Sequence, residues 1–317
     1  MKTLYGILIL VGIIVTGMAC QEDSLKPEFE YTGPIPEIKD GPSEGQKICY
    51  ELYQKYDLHT YYTLSGDDAL RTEIGTTQTN MMMDGTYPPQ AGDVATSTSF
   101  LKFFKSFYDL LPEELAKSSG VRRNVLVKVN PNLDMLMYYG IMDPNFYKIN
   151  FTETMQGIAL WGDMDDEIGI QPEAWKYSLC YTYFEARTAS YYHAELPALT
   201  DFAAVATYLG EMSGDELKEA YALMADTVGR ANMEYLYSKG FVDPNGFAMA
   251  TSKSSTHIDM ATYATWIACK SLAERQEIME KNLLVERKYE LTLRYYKDNL
   301  NLDLEDFAQK LSNVIIE

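Results

Sequence analysis

Past Pro172 the sequence almost stops carrying the two-residue alternation of a β-strand, and this change of periodicity limits the architecture more than any other feature. Between residues 48 and 160 the two kinds of signal alternate. "YDLHTYYTL" has the β-branched and aromatic residues of a strand, and "VRRNVLVKV" reads as another. "TSFLKFFKSFYDLL" instead repeats its apolar residues at Phe100, Phe103, Phe104, Phe107 and Leu111, one face of a helix. From Pro172 to Glu317 most of the chain has helical spacing. The order predicts an α+β fold with a mixed α/β half over 47–170 and a helical half over 171–317, packed as one domain over 47–317. No internal repeat is present.

The first helical segment of the second half carries the chemistry worth testing. Pro172 suits a helix start, Glu173 favours the positive end of the dipole, and Trp175, Leu179, Tyr183 and Ala186 recur at helical spacing. A helix over residues 172 to about 192 is expected, and Pro197 blocks a long continuation. In an HExxH zinc hydrolase two imidazoles four residues apart share a helix face and one metal, while the adjacent glutamate takes a proton from the metal-bound water.

Three registers for such a site can be counted. Starting at His193 gives "HAELP", with Ala194 where glutamate is needed and Pro197 where the second ligand is needed. Starting at Phe184 gives "FEART": Glu185 is in place, but the ligand positions hold Phe184 and Thr188. The third route abandons the motif and gathers His193, Glu195, His257 and Asp259, residue types that could make a metal site if the fold brought them together. His59, in an expected strand, reads as a satisfied half-buried histidine.

The amino-terminal "MKTLYGILILVGIIVTGMAC" has one lysine, an apolar run too short to span a bilayer stably, and small residues before Cys20. It is read as a signal peptide over 1–19, with Cys20 as the lipidated first residue of the mature chain. "TGMAC" resembles a bacterial lipobox, although Gly17 stands where leucine is usual, and "CQEDS" resembles a surface-export signal of Bacteroidetes lipoproteins. Residues 20–46, polar and broken by prolines, are expected to be a tether. The implied location is the outer membrane, lipid-anchored and at the cell surface. A formal charge of −19 argues against nucleic-acid partners and against charge-driven docking on anionic lipid.

With Cys20 assigned to lipid, Cys49, Cys180 and Cys269 remain, so at most one disulfide can form within the chain. No Cys-x-x-Cys pair exists to build a thiolate zinc site. The 25 tyrosines could stack on sugar rings, but packing at the core edge is their commoner use. "NMMMDG" reads as a gap-filling loop before an adaptable binding surface.

Three segments, "FEARTASYYHAELPALTDF", "KGFVDPNGFAMATSKSSTHIDMATYATWI" and "VERKYELTLRYYKDNLNLDLEDFAQKLSNVI", together resemble the zinc-binding metallopeptidase lipoproteins encoded beside nutrient-import systems in Bacteroidetes. Order and spacing match over most of residues 48–317. The resemblance implies a zincin-like fold, an HExxH helix, a Gly-Phe-Val segment, and a second helix whose acidic motif completes the metal site. Carried over, the histidines fall on Phe184 and Thr188 and the glutamate on Glu185. The acidic motif falls on Ile258, Asp259, Met260, Ala261 and Thr262, without its glutamates.

A metal facing phenyl, hydroxyl and alkyl groups keeps almost no binding energy, and without it water keeps its high pKa. The expectation is therefore a degenerate, inactive metallopeptidase-like domain with no cofactor, in which Glu185 is vestigial and Phe184, Thr188 and Thr262 are former ligand positions. The resemblance further implies a TonB-dependent importer and its substrate-binding lipoprotein as partners, with peptide or glycan as cargo. Two alternatives stand beside it: an active hydrolase with zinc at His193, Glu195, His257 and Asp259, and a glycan-binding surface module.

Overall fold

The structure, a computed structural model, describes residues 37–63, 90–91, 94–117, 123–128, 148–150, 155–159, 175–177, 179–185, 198–224, 231–250, 252 and 255–316. The readings placed on Cys20, the signal segment, "NMMMDG", Thr188, His193 and Glu195 fall outside these residues. Among the described residues no helix is long and apolar enough to cross a membrane.

The chain enters its domain through helix α1 (Glu44–Tyr56), which starts a little before the expected end of the tether. Its start is set by "SEGQ": Ser43 accepts from the Gln46 backbone N–H while the Gln46 side chain accepts from the Ser43 N–H, a reciprocal cap. The Ser43 hydroxyl also hydrogen-bonds the Tyr62 hydroxyl at 3.0 Å, which anchors this end to the body.

A five-stranded sheet follows, from β1 (His59–Tyr61), β2 (Gln90–Ala91), β3 (Arg123–Lys128), β4 (Lys148–Asn150) and β5 (Met155–Ala159). The order is β1-β3-β5-β4, with β1 and β5 parallel to β3 and β4 antiparallel to β5. Because β5 pairs with residues 123–127 of β3, β1 and the antiparallel β2 must share its other edge, β1 along 123–125 and β2 along 127–128. Every strand among the described residues thus precedes Pro172. His59 is half-buried in β1, 3.5 Å from Asp57 and edge-on to Tyr53.

Helices α2 (Val94–Asp109) and α3 (Glu113–Lys117) belong to this half. All five phenylalanine and leucine positions expected on the apolar face of α2 and its exit, Phe100, Phe103, Phe104, Phe107 and Leu111, are buried. Helix α1 packs on α2, and Lys55 and Lys105 each lie 2.7 Å from Asp109, which also accepts from the Tyr56 hydroxyl at 2.6 Å. Partial burial tends to raise the Asp109 pKa, but hydrogen bonds from Lys105, Lys55 and Tyr56 outweigh it and bring the value to about 2. A depressed carboxylate stabilises the fold above its unfolded pKa, and that contribution is lost as pH falls through about 2. Asp109→Asn is expected to cost about 1 kcal/mol at pH 7, after allowance for solvent screening, and to flatten the acid limb of stability between pH 4 and 2, measured by urea unfolding.

The second half is helical. It comprises a helical stretch at 175–177 and 179–185, then α4 (Ala198–Ala203), a 3₁₀ turn (Leu209–Glu211), α5 (Gly214–Leu223), α6 (Met233–Ser238) and α7 (Pro244–Met249). The longer helices α8 (Thr256–Cys269), α9 (Leu272–Lys281), α10 (Leu283–Leu300) and α11 (Leu304–Ser312) close the chain. Helix α8 is the central element: Thr256 and every residue from Asp259 to Ala268 are buried, on all sides of the helix. A helix without a polar face has to lie inside, and α4, α7, α10 and α11 all pack on it. Arg275 of α9, itself buried, grips Glu305 of α11 with its two terminal guanidinium nitrogens, and Tyr289 of α10 donates to the same carboxylate.

Among the described residues, two apolar clusters stand out. The larger joins α1, α2, the 175–185 stretch, α8, α10 and α11. The smaller holds Tyr208, Leu209, Leu236, Phe241 and Phe247 around α6 and α7.

Candidate functional site

The 175–185 stretch presents two faces. On one, Phe184 is fully buried, with ring centroids 5.3 Å from Tyr296, 5.6 Å from Tyr183 and 6.0 Å from Phe307. Trp175 on this element meets Phe100 edge-on at 5.3 Å, and Tyr183 donates to the Leu115 carbonyl at 3.2 Å, so the mixed half supplies the rest of the packing. Phe184 therefore points into the aromatic core.

Tyr177, Tyr181 and Glu185 recur every four residues and so lie along a second face. All three are half-buried. The Tyr177 hydroxyl donates to Asp243, and the Tyr181 phenol is pushed upward in pKa by burial first and then by the charges of Glu185 and Asp243. Asp243 is buried and caps α7, accepting from the Asn245 N–H at 2.7 Å. Tyr237, half-buried on α6, is raised by burial and again by Asp243. The surviving glutamate of the HExxH register and Asp243 thus both act on Tyr181, and Asp243 acts on Tyr177 and Tyr237 as well. This half-buried face carries rings, hydroxyls and carboxylates, groups suited to recognition.

The second sequence-marked place is on α8. Asp259 is fully buried, and its Oδ2 lies 2.5 Å from Lys288 Nζ of α10, itself fully buried. The Tyr208 hydroxyl donates to the same oxygen at 2.9 Å. Four rings enclose the ammonium: Phe241 at 4.1 Å, Phe202 at 5.0 Å, Tyr208 at 5.2 Å and Tyr263 at 5.7 Å from their centroids. Phe202 and Tyr263 belong to the larger apolar cluster and Tyr208 and Phe241 to the smaller, so the ion pair lies on the seam between them. Burial raises the Asp259 pKa against the pull of Lys288, and burial lowers that of Lys288 against the pull of Asp259.

Gly246 explains how α7 reaches this place. A Cβ there would lie 2.7 Å from Thr262 Oγ1 and 3.1 Å from Asp259 Oδ1, so a glycine is required for the approach. Thr262 is buried one turn beyond Asp259, and its hydroxyl donates to the Asp259 carbonyl at 2.7 Å. His257 is half-buried on the first turn of α8.

Phe184 and Asp259 sit at different levels of α10. Phe184 packs on Tyr296 and Asp259 on Lys288, eight residues earlier, which is about 12 Å along a helix axis. Among the described residues no group of three or more His, Cys, Asp and Glu side chains is placed to hold a metal ion. Of the described residues at the aligned positions, Phe184 has no donor atom to offer zinc, and Asp259 already pairs with an ammonium.

Lys288 is the residue that sequence reading overlooked. It was legible as a lysine on an apolar stripe, since Val285, Leu291, Thr292 and Tyr295 of α10 are buried on the same side. A buried lysine in turn calls for a buried acid, and Asp259 is the lone acid of an otherwise apolar helix.

No protein-family model matches the sequence, and no curated protein matches it. In three dimensions the chain is similar to the crystal structure of a "putative zinc-binding metallo-peptidase" from Bacteroides caccae, with a TM-score of 0.54 and 11% sequence identity. The match covers 87% of this chain and 94% of that one. At this identity the likeness is one of architecture: the chain shares the α+β fold of that protein.

Proposed function

We propose that this chain is a surface lipoprotein, anchored in the outer membrane through Cys20, whose metallopeptidase-like domain lacks a working metal site and serves as a binding component of a nutrient-import system. The observation that carries the reading is the Lys288–Asp259 pair. The one carboxylate in the segment aligned with the metal-completing motif is neutralised by an ammonium from within the chain. Glu185 without a metal-activated water would contribute only about 10²- to 10⁴-fold as a base, far below what peptide hydrolysis needs. The half-buried face of Tyr177, Tyr181 and Glu185, next to Asp243, is the surface we assign to cargo, a peptide or a glycan. A TonB-dependent importer and its substrate-binding lipoprotein are the partners assigned to it by resemblance.

Purified protein, loaded with excess zinc and then freed of loose metal by gel filtration, is expected to retain far less than one zinc per chain and to cleave no peptide. Stoichiometric zinc that is lost on His193→Ala or His257→Ala would instead favour the hydrolase reading at His193, Glu195, His257 and Asp259. On peptide and polysaccharide arrays, Tyr181→Ala is expected to weaken capture roughly tenfold through lost ring contact. Unchanged capture would remove this face from the proposal.

A further inference from the structure

The smaller apolar cluster is drawn from one continuous stretch of chain. Its buried members, from Ala203 through Tyr208, Leu236 and Phe247 to Ala250, all lie within it, whereas Phe202, one residue earlier, belongs to the larger cluster. Backbone hydrogen bonds tie the stretch to itself: the Asn232 N–H donates to the Met224 carbonyl at 2.9 Å, and the Phe241 N–H donates to the Leu236 carbonyl at 2.9 Å. The stretch therefore has its own core and its own internal links, which is what a separately opening unit needs.

The contacts that join it to the body are polar for the most part. Tyr208 donates to Asp259 at 2.9 Å, Tyr263 of α8 donates to the Gly240 carbonyl at 2.9 Å, and Tyr177 donates to Asp243. The Phe241 and Tyr208 rings cover the Lys288 ammonium. Asp259 Oδ1, on the Gly246 side, is buried with no hydrogen-bond partner among the described residues. Val242 and Ile258 carry apolar contact across the seam. Parting apolar cores forfeits the hydrophobic gain, whereas parting hydroxyls, a carboxylate and an ammonium returns each of them to water. For the buried ion pair that return is large, because desolvation is the main cost of its burial. The seam therefore opens more readily than either core.

We propose that the stretch from Ala203 to Ala250 is a lobe that opens as one unit from α8 and α10, latched by the cluster of Tyr208, Asp259 and Lys288. Opening hydrates the ion pair and parts Asp243 from Tyr177, while each apolar cluster stays packed apart from Val242 and Ile258. It also uncovers the Lys288 amine, which is fully buried when the lobe is closed. The inference goes beyond the binding role and does not depend on it.

The test treats the full-length chain with an amine-acylating reagent, N-hydroxysuccinimidyl acetate, across a series of urea concentrations below the unfolding transition. Acylation of each lysine is read by peptide mapping, with exposed Lys218 as the reference amine, and global unfolding is followed by circular dichroism. Lys288 is expected to react through an opening on the order of 100-fold more frequent than global unfolding, with a urea dependence clearly above zero and at most about half that of global unfolding. Tyr208→Phe, which keeps the ring and removes its bond to Asp259, is expected to speed Lys288 acylation roughly tenfold. Gly246→Ala, whose added methyl group would press on Asp259 and Thr262 from α7, is expected to speed it as well. Labelling of Lys288 that matches global unfolding in frequency and urea dependence would overturn the proposal, because the lobe would then part only when the whole chain unfolds. Labelling with no urea dependence would overturn it too, since a local fluctuation would then reach Lys288. So would a Tyr208→Phe chain that labels no faster than the natural one. The urea series on the natural chain decides the matter even if a variant folds poorly.

Discussion

Lys288→Met is expected to destabilise the protein by about 3–5 kcal/mol, because it leaves the Asp259 carboxylate buried and unpaired. Adding Asp259→Leu to Lys288→Met is expected to recover most of that loss and to equal or exceed the stability of the natural chain. The two opposing pKa directions support this. Burial raises Asp259 and lowers Lys288 despite their contact, so desolvation outweighs the attraction between them. The single variant should also acquire a distinctive pH profile. With Lys288 gone, Asp259 has a folded-state pKa raised further above its unfolded one, so stability holds at acid pH, where the carboxyl is protonated. It is then lost as pH rises through the folded value. Urea unfolding of the three proteins from pH 4 to 8 measures both effects. A double variant as unstable as the single one would show that the ion pair stabilises the seam between the two apolar clusters.

The second large effect separates neighbours. Phe184→Ala is expected to cost about 3–5 kcal/mol, since its ring is enclosed by Tyr183, Tyr296 and Phe307 and a cavity would replace it. Glu185→Gln, on the half-buried face, is expected to change stability by no more than about 0.5 kcal/mol. Phe184→His should not create zinc affinity, because the described neighbours of that ring, Tyr183, Tyr296 and Phe307, offer an imidazole no carboxylate, thiolate or second imidazole to share a metal. Isothermal titration with zinc checks that outcome. A large loss on Glu185→Gln together with a small one on Phe184→Ala would reverse the roles given to the two faces.

Much of the fold could be read along the chain, because local periodicity reports which face of an element is buried. The α2 face from Phe100 to Leu111, the strand at "VRRNVLVKV" and the absence of described strands beyond Pro172 all follow from spacing. Helix α1 was not foreseen from spacing, and it begins inside the expected tether of residues 20–46: "SEGQ" carries its own capping box, a local signal. Helix α8 was harder to orient, because apolar residues surround it and no stripe identifies a face. In "RYYK" the aromatic pair proves to be core, with Tyr295 and Tyr296 both buried.

The candidate site was legible only in part. Counting registers identifies Phe184 and Glu185 as occupants of the first motif and Asp259 as the acid of the second, since identity at a fixed spacing is a property of the chain itself. Spacing cannot say that adjacent residues 184 and 185 face the core and a half-buried surface, or that Asp259 meets Lys288 and Phe184 meets Tyr296. Those pairings join residues 29 positions apart or more, and they exist only once the helices have packed. The sequence alone determined which side chains could never hold a metal, because that follows from their atoms. The tertiary structure decided what they hold instead, because desolvation and contact are created by packing.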